Sequence, residues 1–130
     1  MKKPARLMPA LFLLLSTIAW SATDIGVTEL QQRQAKGDVV VIDVRSPAEY
    51  AQGHVPGAIN IPHDQAGERA MEIRALQKKG EVVLYCRSGR RVAAAAEALE
   101  ARGVTGLRHL KGDIQGWQAA GAPMSPCTTY

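Results

Sequence analysis

Two short runs, VVVID at residues 39 to 43 and VVLYC at residues 82 to 86, are apolar at nearly every position. Continuous apolar character suits a central parallel strand covered on both faces, whereas a half-exposed strand would alternate with polar residues. LRHL at residues 107 to 110 predicts a further, shorter strand. Between these runs the pattern turns helical. Thr28 followed by Gln31 reads as a capping box that opens a helix ending before Gly37. Ser46, Pro47 and Glu49 supply the N-cap, first-turn proline and reciprocal acid of a second helix, ended by Gly53. Ala70, Ile73, Leu76 and Gln77 define one face of a helix over residues 68 to 79, before Gly80. Residues 92 to 102, dominated by Ala, Leu and Glu, predict the strongest helix, with Gly103 as its stop. A last short helix is expected over residues 113 to 120, broken by Gly121 and Pro123. HVPGAINIP, residues 54 to 62, reads as irregular chain with at most a short strand. This alternation predicts an α/β domain with a mainly parallel sheet.

The first 21 residues stand outside that pattern. Lys2, Lys3 and Arg6 precede an apolar stretch from Leu7 to Ala19, and small residues follow at Ser21 and Ala22. This order predicts a cleavable secretory signal peptide, cut after Ser21 with Ala19 at the minus-three position, or alternatively after Ala19. The stretch is short for a bilayer span. The expected mature chain, residues 22 to 130, is a single exported, periplasmic domain with a short C-terminal tail and no stable membrane insertion. Setting the leader aside also changes the charge. The whole chain has 16 Lys and Arg against 12 Asp and Glu, a net charge of +4. Without Lys2, Lys3 and Arg6 the balance is 13 against 12. A broad nucleic-acid-binding surface is therefore not expected, and any anion preference must be local. With 46% hydrophobic and 22% charged residues, a packed core is expected rather than disorder.

The candidate chemistry lies in YCRSGRR, residues 85 to 91. The chain leaving the carboxyl end of a parallel strand and entering a helix is a favoured ligand position. Cys86 occupies it, Gly89 allows backbone amides to converge, and the following helix adds unpaired N–H groups. Arg87, Arg90 and Arg91 add cationic donors. Together these features favour an ionised sulfur over a structural thiol. Arg91 makes a Cys-x4-Arg spacing, one residue shorter than the Cys-x5-Arg phosphate cradle of cysteine phosphatases. His54, His63 and His109 form no acyl-transfer motif with Cys86. No His, Cys, Asp and Glu cluster has metal-ligand spacing, so neither metal nor other cofactor is expected. Cys86 and Cys127 form no CxxC redox pair, although an exported chain permits a bond between them.

VVVIDVRSPAEYAQGHVPGAINIP, VVLYCRSGRR and LKGDIQGWQAAGAP together resemble the rhodanese family of sulfurtransferases, over roughly residues 25 to 125. The resemblance is to exported single-domain members more than to two-domain enzymes. It implies a five-stranded parallel core and a six-residue active loop, Cys86 to Arg91. Cys86 would take sulfane sulfur from a small anion such as thiosulfate and hold it as a persulfide. A thiophilic acceptor, cyanide or a small or protein thiol, would then remove it. Arg87, Ser88, Gly89, Arg90 and Arg91 would bind substrate. Asp43 is expected to support the loop through interior hydrogen bonds. Arg45 and Glu49 are expected to form an ion pair or network, His54 to fix its loop, and Trp117 to pack as core or pocket wall. Two departures stand out: Val92 replaces a small hydroxyl residue after the loop, and Asp113 stands where a second glycine is common. The alternative function is a sulfur-carrier module with little turnover of free thiosulfate. Cys127 is expected to be a tail residue rather than a resolving thiol.

Overall fold

The structure, a computed structural model, describes residues 3–5 and 22–126. The leader's apolar stretch, its cleavage point and Cys127 lie outside the described residues. Among the described residues five strands alternate with five helices in chain order: β1 Thr23–Ile25, α1 Val27–Lys36, β2 Val39–Asp43, α2 Pro47–Gln52, β3 Ile59–Asn60, α3 Ala70–Leu76, β4 Glu81–Tyr85, α4 Arg90–Glu100, β5 Arg108–Leu110 and α5 Asp113–Ala119. The strands form one sheet in the order β1-β5-β4-β2-β3, and every pairing is parallel. Among the described residues no helix is long and apolar enough to cross a membrane.

The continuous apolar runs are explained by burial on both faces. Along β2 and β4 the side chains alternate: Ile42, Val82 and Leu84 join Ile73, Val92 and Leu99 on one side. Val41, Val83 and Tyr85 join Leu30, Leu110 and Trp117 on the other. Each strand follows the two-residue period of a pleated sheet, and neither face is left for polar residues. β2 and β4 pair in register from Val39 opposite Glu81 to Asp43 opposite Tyr85, so their carboxyl ends finish side by side.

Local signals account for most helix ends. Ser46 caps α2, its hydroxyl accepting from the Glu49 N–H at 3.2 Å while Glu49 accepts from the Ser46 N–H at 3.3 Å. The expected capping box at Thr28 does not form. α1 starts at Val27 with Gly26 as its N-cap and no side-chain cap, because the chain turns into the helix directly from β1 and Thr28 already lies in the first turn. α4 begins at Arg90, two residues before the alanine-rich pattern, and α3 is shorter than residues 68 to 79. Trp117 is 1% exposed and packs as core, with its indole N–H donating to the Pro123 carbonyl at 2.7 Å.

Candidate active site

Cys86 is the first residue beyond β4 and is only 1% exposed. Its backbone is held from both sides by the start of α5. The Cys86 N–H donates to Asp113 Oδ1 at 3.0 Å, and the Cys86 carbonyl accepts from the Ile114 N–H at 3.1 Å. The Gly89 N–H points at Cys86 Sγ from 2.9 Å. Gly89 reaches that orientation with φ of 98°, in the left-handed region where a side chain is strained, and it is also the N-cap of α4. The loop thus turns a backbone donor onto the sulfur at the amino end of an 11-residue helix, an arrangement that stabilises negative charge there.

The three loop arginines fall into two groups. Arg87 and Arg90 are exposed, as is Ser88. Arg91 instead reaches α2 and forms a two-pronged pair with Glu49, Nη1 to Oε1 at 2.5 Å and Nη2 to Oε2 at 3.0 Å. This pair holds the Glu49 carboxyl down at about 2, assisted by the Ser46 N–H and hydroxyl and opposed by partial burial. Arg45 and Glu49, expected to form an ion pair or network, do not pair with each other and are each held by another partner. The Arg45 guanidinium folds back on Asp43, two residues earlier, with Nη2 to Oδ2 at 2.6 Å and Nε to Oδ1 at 3.0 Å, and donates to the Gly53 carbonyl at 2.7 Å. Asp43 is fully buried at the end of β2, and a buried carboxylate without a cation would be costly, so the nearest guanidinium is drawn to it.

Asp43 also accepts from the Tyr85 hydroxyl at 2.7 Å, and that hydroxyl accepts from the Val55 N–H at 3.0 Å. Burial and the Asp43 carboxylate push the Tyr85 phenol far above its ordinary value, so it stays a neutral donor. His54 fixes the same loop: its Nδ1 lies 2.8 Å from the Tyr50 carbonyl and its ring stacks on Tyr50 at 3.7 Å. Asp43 and His54 thus each sit in a hydrogen-bonded network. Val92 is buried between α4 and the sheet, filling core space.

A cavity of about 420 Å³ opens beside the loop, walled by Arg45, Glu49, Gln52, Arg87, Gln115 and Gln118 among others; it shares Arg87 with the loop, and Cys86 does not line it.

Sequence reasoning missed an acidic side chain in contact with the sulfur. Asp113 Oδ1 lies 3.6 Å from Cys86 Sγ as well as 3.0 Å from its N–H. The carboxylate is 4% exposed and the residue takes φ of 54°, unusual for a non-glycine residue. His109, four residues earlier on β5, places Nε2 2.8 Å from the same oxygen. The signal was present as an acid where the resemblance leads one to expect glycine, with a histidine four positions before it.

The chain is 38% identical over 102 residues to a sulfurtransferase of Allochromatium vinosum, a match covering 78% of this chain and 92% of that protein. It is 41% identical over 71 residues to the thiosulfate sulfurtransferase PspE of Escherichia coli, covering 55% of this chain and 67% of PspE. Among solved structures, the human single-domain sulfurtransferase TSTD1 superposes with a TM-score of 0.63 at 29% identity, over 78% of this chain and 96% of that one. The rhodanese-like domain pattern matches residues 26–120, from the cap of α1 to the end of α5, and the chain belongs to that family.

Proposed function

We propose that this protein is a sulfurtransferase that carries sulfur on Cys86. The observation that carries the reading is the Gly89 N–H held 2.9 Å from Cys86 Sγ at the amino end of α4, a fixed donor aimed at the atom that bears the charge of the attacking and departing thiolate. In the first step the Cys86 thiolate attacks the outer sulfur of thiosulfate. A Cys–S bond forms, the S–S bond of thiosulfate breaks, and sulfite leaves with the bonding pair, so charge is conserved and Cys86 becomes a persulfide anion. In the second step cyanide or a thiolate attacks the terminal sulfur, forming thiocyanate or a new persulfide and returning the Cys86 thiolate. Arg87 and Arg90, exposed on the loop, and Ser88 are the groups assigned to meet the incoming anion. Arg91 acts through its pair with Glu49, tying α4 to α2 beneath the loop. In the same reading the leader directs export to the periplasm.

The test is intact mass measured before and after thiosulfate, then after cyanide. One added sulfur on Cys86, lost on cyanide addition with release of thiocyanate, is expected. A Cys86→Ser protein that still gains sulfur would overturn the residue assignment. The 1% exposure of Cys86 favours a second reading, a carrier module loaded by a partner protein. Slow loading from free thiosulfate combined with fast loading from a protein persulfide would select it.

A further inference from the structure

Beneath the active loop lies a pair of side chains that the sulfur-transfer cycle, as written above, does not use. Asp113 Oδ1 is shared by the Cys86 N–H, Cys86 Sγ and His109 Nε2. The pair faces the turn itself, since a side chain built at Gly89 would meet Asp113 Oδ2 and His109 Cε1, each at 3.5 Å. A carboxylate in contact with the sulfur opposes every anionic species of the cycle, whether thiolate, persulfide or incoming thiosulfate. A protein that keeps such a group there, on a backbone conformation that itself costs about 1 kcal/mol, must compensate its charge.

The geometry supplies the compensation. His109 has a carboxylate against each ring nitrogen, Asp113 at Nε2 and Asp24 of β1 with its Oδ1 3.6 Å from Nδ1. The imidazolium donates its Nε2–H to Asp113 and is also attracted to the exposed Asp24 carboxylate, which lies beyond hydrogen-bond distance, whereas a neutral imidazole has no charge to set against either acid. The other charged side chains near β5 do not compete for this place. Arg108 is directed to Glu81 and to the Thr23 and Asp24 carbonyls, and Lys111 is exposed. From the residue that follows β4, the ionisable group at the pair is Cys86 itself.

We propose that His109 and Asp113 form a proton-controlled gate on sulfur exchange at Cys86. With His109 protonated, the carboxylate against the sulfur is neutralised and anionic donors are accepted. When that proton is lost, a bare carboxylate faces the sulfur and exchange with anions slows, while neutral reagents are little affected. The electrostatics agree with the geometry. The hydrogen bond to Asp113 raises the His109 titration above its ordinary value against the effect of burial, with both acids adding to the rise. Burial disfavours the Asp113 carboxylate, but His109 and the Cys86 N–H outweigh it and hold the acid below its ordinary value. The imidazolium therefore persists to higher pH than a free histidine's and is lost as pH rises through the elevated His109 value. The gate closes on the alkaline side.

The proposal rests on Cys86 as the reacting sulfur, and its test does not require turnover. In a Cys127→Ala chain, the rate of Cys86 alkylation by iodoacetate is divided by that by iodoacetamide from about pH 6 to 9.5. The ratio cancels ionisation of the thiol and leaves the charge felt by the reagent. The imidazolium lies one carboxylate oxygen away from the sulfur, through contacts of 2.8 Å and 3.6 Å, and losing a unit charge there, screened to an extent between protein and water, changes that ratio on the order of tenfold. The expected result is one downward step in the ratio, placed above the ordinary histidine value of about 6.5. His109→Gln should abolish the step and hold the ratio at its low level. Asp113→Asn, which preserves an acceptor for the Cys86 N–H and tolerates positive φ, should move the step to lower pH and keep the ratio high beyond it. NMR titration of the His109 ring provides a second readout independent of reagent access, and Asp113→Asn should lower its midpoint. A flat wild-type ratio, the same step in His109→Gln, or a His109 midpoint unmoved in Asp113→Asn would each overturn the gate. Failure of both reagents to modify Cys86 would count against the sulfur-transfer reading, leaving the NMR titration to decide the electrostatic pairing.

Discussion

Replacing Glu49 by Gln isolates the link between α2 and Arg91 at the start of α4. The substitution keeps the side-chain shape and an acceptor for the Ser46 N–H, but removes the charge opposite Arg91. The magnitude follows from titration. A carboxyl with an ordinary value of 4.5 that titrates at about 2 when folded corresponds at full value to about 3 kcal/mol of stability. The Glu49 side chain is 32% exposed, so solvent screening reduces this to about 1–1.5 kcal/mol. Because the folded value lies below the unfolded one, the contribution is complete above about pH 4.5 and disappears as pH falls toward about 2. Urea denaturation of wild type and Glu49→Gln at a series of pH values should show a gap of about 1–1.5 kcal/mol at pH 7 that narrows through this acid window. At neutral pH the same gap corresponds to a Tm lower by about 4–8 °C. A gap that is constant from pH 7 to about pH 2.5, or that widens on acidification, would refute the reasoning.

Gly89→Ala should cost about 1–2 kcal/mol, since its φ of 98° is strained for any side chain, and turnover should fall at least about tenfold because relaxing that strain swings the N–H off the sulfur. Thermal melts and thiocyanate formation measured on one preparation check both halves, and unchanged turnover would remove the Gly89 N–H from the mechanism. Tyr85→Phe takes the buried hydroxyl from between Asp43 and the Val55 N–H. A loss of about 1–3 kcal/mol in chemical denaturation is expected from the donor left unsatisfied, and a loss under about 0.5 kcal/mol would mean the network relaxes without it.

The strands and helices that define the architecture were legible where burial or capping left a local mark. VVVID and VVLYC are apolar throughout because β2 and β4 are covered on both faces, and Ser46, Pro47 and Glu49 announce α2 without help from the rest of the chain. β1 left no comparable mark: it is a three-residue edge strand with Thr23 and Asp24 exposed, held by pairing with β5 over 80 positions away. Thr28 misled because capping chemistry is defined by where the preceding strand ends, which no local pattern states. At the site, Cys86 and Gly89 were readable from the strand–loop–helix transition. The partners of Arg45, Glu49 and Arg91 were not, because an ion pair is settled by which elements meet in space. Asp113 was noticed only as a departure from an expected glycine. Its place against Cys86 depends on α5 packing across the end of β4, 27 residues from the cysteine.

That distance along the chain has a consequence for timing. The backbone of Cys86 is fixed by Asp113 and Ile114, at the beginning of the last helix. The strand, the thiol and the glycine of the loop all precede those two residues along the chain. An unfinished chain carries an unorganised cysteine, and the organised sulfur appears only when the final helix closes the domain. Organisation of the Cys86 backbone is thereby tied to the docking of α5, and anything that loosens α5 would release the cysteine from both of these hydrogen bonds.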